Sequence, residues 1–199
     1  MPRIDERSGC LCFKIVFCGP GHGGKTTALR HAHRSLPHLA RGELVTLSTE
    51  TDRTLFFDFF PFYAGFVKDV GRPVRFHLYT APGQSFYSEA CARVLKEADG
   101  LVFVADSRGE CGEANVEALG QLRRSLASQG VDVGRLPFVY LYNKRDLPGC
   151  AALPRMKAAL NPEGRPDFEG VATTGQGVFE TLDTLCELVI DAHRRREDP

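Results

Sequence analysis

The apolar run C-F-K-I-V-F-C breaks at Gly19 into G-P-G-H-G-G-K-T-T, then resumes with the helix-like A-L-R-H-A-H-R-S-L. No other stretch constrains the fold as tightly. Four glycines and a proline within six residues suit neither a strand nor a helix interior, so the segment must be a curled connection between the two. With so little side chain, that connection presents backbone: successive N–H groups converging on one point, joined by the free N–H donors and positive dipole end of the next helix. Gly19, Gly24, Lys25 and Thr26 meet the spacing G-x-x-x-x-G-K-[ST] in the strand-to-helix context it requires, which predicts a polyphosphate ligand.

The roles follow from chemistry. Gly19, Gly21, His22, Gly23, Gly24, Lys25, Thr26 and Thr27 are expected to surround the phosphates, with His22 facing solvent and not acting as a catalyst. Lys25 is expected to reach the β and γ phosphates as a charged donor, and Thr26 to offer its hydroxyl to Mg²⁺, a hard cation that takes oxygen ligands.

Beyond this loop, apolar runs of strand length alternate with segments of helical period: R-F-H-L-Y-T before S-F-Y-S-E-A-C-A-R-V-L-K-E-A, G-L-V-F-V-A-D-S before E-A-N-V-E-A-L-G-Q-L-R-R-S-L-A, and P-F-V-Y-L-Y-N before A-L-P-R-M-K-A-A-L. F-E-G-V-A-T then precedes a last helix on which Val178, Leu182, Leu185, Val189 and Ala192 share one face. Strands apolar on both faces, separated by helices, predict an α/β fold with a largely parallel sheet covered on each side and ligands at the carboxyl ends of its strands. Residues 1–12 read as a short N-terminal extension. Residues 194–199, beginning with Arg194, Arg195 and Arg196, read as a frayed basic helix end suited to the dipole.

Lysine plus arginine and aspartate plus glutamate both number 25, so no global field draws the chain to nucleic acid or to an anionic membrane. The sequence shows no secretory signal, spanning segment or lipidation box, and a cytoplasmic location without a stable membrane anchor is expected. Seven scattered cysteines without C-x-x-C spacing predict reduced thiols and no zinc site.

The motif N-K-x-D, formed by Asn143, Lys144 and Asp146, ends another strand. A carboxylate there accepts both N–H donors of the guanine edge and meets a lone pair on adenine, which favours GTP over ATP. An unpaired carboxylate costs about 1–3 kcal/mol or more. Lys144 is expected to lay its stem along the base and Asn143 to tie this loop to the glycine loop. In V-A-T, Ala172, beside Thr173, is expected to offer a backbone N–H to the guanine oxygen.

With these motifs in place the chain resembles the Ras-like small GTPases, and more closely the bacterial MglA family of gliding-motility and cell-polarity switches. The likeness rests on G-P-G-H-G-G-K-T-T, T-E-T-D-R-T-L-F-F-D-F-F-P, F-H-L-Y-T-A-P-G-Q-S-F-Y, V-F-V-A-D-S, N-K-R-D-L-P and G-V-F-E-T-L. It implies one Ras-like P-loop GTPase domain over residues 1–199, with a mostly parallel six-stranded sheet, one antiparallel edge strand and helices on both faces. It further implies a monomeric switch that binds GTP or GDP with Mg²⁺ and hydrolyses GTP to GDP and phosphate slowly until a partner stimulates it. That partner is a roadblock-fold protein like MglB, other partners are motility or polarity effectors, and recruitment to a cell pole would run through partners.

Carried over residue by residue, Thr54 senses Mg²⁺ and the γ-phosphate, Gly83 gives its N–H to that phosphate, Gln84 orients the attacking water and Arg53 serves as an arginine finger from the same chain. One departure stands out. The second-loop box of GTPases usually begins with aspartate, whereas here, as the resemblance implies for the MglA family, Thr80 begins T-A-P-G-Q. Whether Asp52, Asp58 or water supplies the missing carboxylate is left open by the sequence.

L-F-F-D-F-F-P-F-Y, from Leu55 to Tyr63, is aromatic or apolar on both alternating faces except at Asp58. Either face suits burial, so the penalty against a change of register is reduced and a bistable strand is expected. The resemblance implies that this strand moves as the partner engages. Two other functions stay open at this point: a GTP-dependent binding module with little hydrolysis, and a metabolic phosphotransferase.

Overall fold

A computed structural model describes residues 2–47, 57–82 and 89–197. Its strands are β1 (Arg3–Ile4), β2 (Leu11–Cys18), β3 (Val45–Leu47), β4 (Phe57–Val67), β5 (Arg72–Thr80), β6 (Gly100–Asp106), β7 (Phe138–Asn143) and β8 (Asp167–Glu169). The longer helices are α1 (Lys25–Ser35), α2 (Glu89–Leu95), α3 (Gly112–Ser128), α4 (Leu153–Leu160) and α5 (Val178–Glu197).

All eight strands join one sheet in the order β3-β4-β5-β2-β6-β7-β8, with β1 paired to the start of β2. The five strands from β5 to β8 run parallel, and β4 lies antiparallel to β5. Those six are the sheet expected from the sequence. The other two correct that expectation: β3 adds a second antiparallel strand outside β4, and β1 makes a hairpin with β2 through Arg3–Cys12 and Ile4–Leu11. Part of the N-terminal segment read as an extension is therefore sheet. At the other end, α5 continues as helix through Arg194 to Arg196 up to Glu197.

Alternation along each strand sorts side chains into two cores. Phe13, Ile15 and Phe17 of β2 join Val102, Val104, Val139 and Leu141 beneath α1 and α5, with Val178, Leu182, Leu185 and Val189 supplying the α5 stripe. Val16 and Cys18 face the opposite way, with Leu101, Phe103, Phe138 and Tyr140, beneath α2, α3 and α4. Because both faces are covered, the parallel strands are apolar throughout: every residue of β6 and β7 is buried. This is the Ras-like α/β arrangement, and it leaves the carboxyl ends of β2, β6 and β7 at one edge where their loops meet.

Candidate functional site

The loop from Gly19 to Gly24 follows β2 at that edge and ends where α1 starts. Gly19 and Gly24 adopt left-handed backbone with φ of 137° and 100°. Neither has room for a side chain: a Cβ on Gly19 would lie 2.2 Å from the carbonyl oxygen of Val104, and one on Gly24 would lie 2.1 Å from Asn143 Nδ2. The Gly23 N–H donates to the Pro20 oxygen at 3.2 Å, closing the turn. His22 is exposed with φ of 58°, while Gly21 is half-buried and Thr27 exposed.

Lys25, the first residue of α1, is 8% exposed, and its Nζ donates to the Gly19 and Pro20 oxygens at 3.0 and 2.7 Å. The ammonium thus sits inside the curl of the loop. Burial pushes it down from its ordinary value to about 8. A buried cation that meets only carbonyl dipoles among the described residues is well suited to an anionic ligand.

Thr26 points from α1 toward β4, where its hydroxyl donates to Asp58 Oδ2 at 2.7 Å. Asp58 is buried, 4% exposed, in a strand otherwise aromatic at this end. Its other carboxylate oxygen accepts from Thr46 Oγ1 at 2.8 Å and from Arg30 Nη2 at 3.3 Å. Thr80, at the end of β5, accepts the Asp58 N–H at 2.8 Å and stands 3.4 Å from Asp58 Oδ2. A threonine hydroxyl backed by a buried carboxylate is an oxygen donor set that fits Mg²⁺.

On the far side of the loop, Asn143 ends β7 and is buried. Its Nδ2 donates to the Gly23 oxygen at 2.9 Å, and its Oδ1 accepts the Ala172 N–H at 2.8 Å. The Ala172 N–H, expected from the sequence to meet a guanine oxygen, thus lies against the Asn143 amide and links the two loops. Lys144 is one of three non-glycine residues with positive φ among the described residues, at 66°, the kind of strain that collects at functional sites. Its Nζ donates to Asp106 Oδ2 at 2.7 Å. Asp146 and Thr173 are both exposed at this edge.

Asp106, the last residue of β6, is 1% exposed. Asn115 clamps its backbone, donating from Nδ2 to the Asp106 oxygen at 2.8 Å and accepting the Asp106 N–H at 2.9 Å. The Arg108 guanidinium donates to both carboxylate oxygens, from Nε to Oδ1 at 3.1 Å and from Nη2 to Oδ2 at 2.8 Å. Burial pushes the Asp106 carboxyl upward, but hydrogen bonds from Arg108 and Lys144 outweigh it and bring it to about 2. The carboxylate is held ionised beside the N-K-x-D lysine.

No family model matches the chain. The mutual gliding-motility protein MglA of Myxococcus xanthus (strain DK1622) is 50% identical to it over 190 residues, 96% of each chain. The chain belongs to the MglA family.

For this MglA-family chain, the geometry unites the glycine loop, Thr26, Asn143, Lys144, Asp146, Ala172 and Thr173 along one edge of the sheet. Arg53, Thr54, Gly83 and Gln84 lie outside the described residues, as do Leu55 and Phe56 of the aromatic stretch and Asp52. Within the described part of that stretch, Phe60 is fully buried beneath α1, while Phe57 and Phe59 are half-buried against Tyr79. Its two faces are thus unequally covered. Sequence reasoning missed Asp106 and Asn115 as functional supports. The signal was an aspartate closing an entirely apolar strand at its carboxyl end, a place where polar residues serve ligands. Among the described residues no helix is long and apolar enough to cross a membrane, and no group of three or more His, Cys, Asp or Glu is placed to hold a metal.

Proposed function

We propose that this protein is a guanine-nucleotide switch that binds GTP or GDP with Mg²⁺, hydrolyses GTP slowly, and accelerates when a partner completes its site. The observation that carries the reading is the bond from Asn143 Nδ2 to the Gly23 oxygen, which ties a phosphate-cradle loop to the N-K-x-D loop, while the same side chain holds the Ala172 N–H of the V-A-T loop. Gly21 and Gly24 present backbone N–H groups to the phosphates, Gly23 holds the turn between them through Pro20, and Lys25 is drawn to the β and γ oxygens. Asp146 accepts from the guanine edge while Lys144, steered by Asp106, covers the base. Mg²⁺, held by Thr26 and Thr54, supplies charge neutralisation at the phosphates. Gln84 orients water, Gly83 donates to the γ-phosphate, and Arg53 neutralises charge developing on it.

The output is partner choice in bacterial cell polarity or gliding motility, in keeping with the name of the Myxococcus relative. The stimulating partner is a roadblock-fold protein of the MglB kind, and any polar location follows from such partners. The strand from Leu55 to Tyr63 changes register between nucleotide states. Two observations support this: rings pack on the β4 side facing Tyr79 as well as beneath α1, and a bulge between Tyr63 and Gly65 already shifts the pairing with β5.

Binding of fluorescent GDP, GTP and ATP in magnesium buffer tests the first step, and absence of guanine-nucleotide binding overturns the reading. Single-turnover phosphate release with the roadblock partner tests the second: Arg53→Ala and Gln84→Ala are expected to lose the stimulated rate. Near-wild-type rates in both overturn the roles given to Arg53 and Gln84, and a wild-type protein that releases no phosphate with the partner leaves a GTP-dependent binding module.

A further inference from the structure

Thr80 occupies the place where most GTPases carry an aspartate that supports Mg²⁺, yet a carboxylate is present at that place from another strand. We propose that Asp58 of β4, steered by Thr80, is the carboxylate that orients Thr26 and the hydration of the metal. This rests on the nucleotide reading above and names a positioning residue within it.

The argument starts from hydrogen count. A threonine hydroxyl has one hydrogen and two lone pairs. With its hydrogen given to Asp58 Oδ2 at 2.7 Å, the Thr26 oxygen has only lone pairs left to present, which is the state a hard cation requires of a ligand. Thr80 then has a role that needs no charge. By accepting the Asp58 N–H it fixes the backbone of β4 opposite the end of β5, and its own hydroxyl stands on the same carboxylate oxygen that Thr26 uses. A threonine at position 80 and an aspartate at position 58 together do what one aspartate at position 80 would do alone.

A purely structural role, as partner of Arg30, explains less. The Arg30 contact is 3.3 Å from a side chain 44% exposed, while the two shortest side-chain contacts among the described residues come from the hydroxyls of Thr26 and Thr46. Burying a carboxyl group among phenylalanines for one solvated arginine would be costly. Because side chains alternate, a one-residue slip of β4 would carry Asp58 to the opposite face, so the same residue reads both strand register and metal.

The test is release of bound fluorescent GDP across a magnesium titration, in wild type and Asp58→Asn. Loss of such a supporting group is expected to raise the magnesium concentration needed to slow release by about 10-fold or more, with release in chelator unchanged. An Asp58→Asn titration that overlays wild type overturns the proposal, as does faster release by the same factor with and without magnesium. If wild-type release ignores magnesium, the nucleotide reading itself falls and this inference with it. Should Asp58→Asn fail to fold, the wild-type structure with GDP and Mg²⁺ decides: Asp58 within hydrogen-bond reach of Thr26 Oγ1 or of a metal-bound water supports the proposal, and a carboxylate out of reach of both overturns it.

Discussion

Asn143 Nδ2 donates to the carbonyl oxygen of Gly23 at 2.9 Å, joining two loops 120 residues apart in the chain. Asn143→Ala leaves that oxygen and the Ala172 N–H without their partner, so stability is expected to fall by about 2–3 kcal/mol. Asn143→Asp keeps an acceptor for Ala172 but sets a second acceptor against the Gly23 oxygen. It is therefore expected to speed GDP release more than alanine does. Urea unfolding and stopped-flow release check the pair, and equal release from both variants would remove Gly23 from the account.

Asp106 unites Lys144 and Arg108 on one buried carboxylate, so Asp106→Asn is expected to cost about 2 kcal/mol and to loosen Lys144 over the base. The sign of the pH dependence follows from its lowered value. A carboxyl held at about 2 when folded, against an ordinary 3.8, contributes stability that is fully present above about pH 4 and is lost as pH falls toward 2. The wild-type advantage over Asp106→Asn in urea midpoints should accordingly shrink between pH 4 and pH 2. A gap that stays constant through that window argues against the ion pair as its source.

Lys25 has the opposite linkage. Burial holds its ammonium at about 8 in the free fold, whereas the unfolded chain keeps that proton to about 10.4. The free fold therefore gains stability as pH rises from 8 toward 10, and bears the full cost of the buried charge below pH 8. Phosphate oxygens favour the ammonium, so nucleotide binding above pH 8 must take up a proton. Calorimetry at pH 8.5 in buffers of differing ionisation heat should detect that uptake, with affinity weakening toward tenfold per pH unit beyond it. No proton uptake would mean that Lys25 is not the residue meeting the phosphates.

The two-faced sheet was legible because its strands are long enough for alternation to show: Phe13, Ile15 and Phe17 against Val16 and Cys18, with Val178, Leu182, Leu185 and Val189 at helical spacing above them. Strands β1 and β3 were not, since two or three residues carry no period and their pairing depends on a neighbour already in place. The glycine and N-K-x-D loops could be read from letters because backbone curl and carboxylate chemistry need those residue types. Asp58 was visible as a polar break among aromatics. What it faces was not, because that depends on β4 pairing with β5 beside α1. Asp106 stayed hidden for the same reason: its partner Lys144 is 38 residues away.

Two left-handed glycines separate conformational strain from steric exclusion. Gly9, φ 64°, turns the hairpin between β1 and β2, and a Cβ there meets nothing within 4 Å, so Gly9→Ala bears only the left-handed penalty of about 1–2 kcal/mol. Gly19, φ 137°, carries that penalty and places a Cβ 2.2 Å from the Val104 carbonyl oxygen, whose residue lies fully buried in the central strand β6. Relief requires β6 or the loop to move, so Gly19→Ala is expected to cost more than about 3 kcal/mol, lowering the melting temperature by roughly 6–12 °C. Nucleotide affinity should fall with it, because a loop displaced from β6 no longer aims its N–H groups at one point. Gly9→Ala should leave affinity untouched. Thermal melts and GDP titrations on both variants check this ordering, and a Gly19→Ala protein that melts no lower than Gly9→Ala would show that the close approach to Val104 is not what fixes the loop.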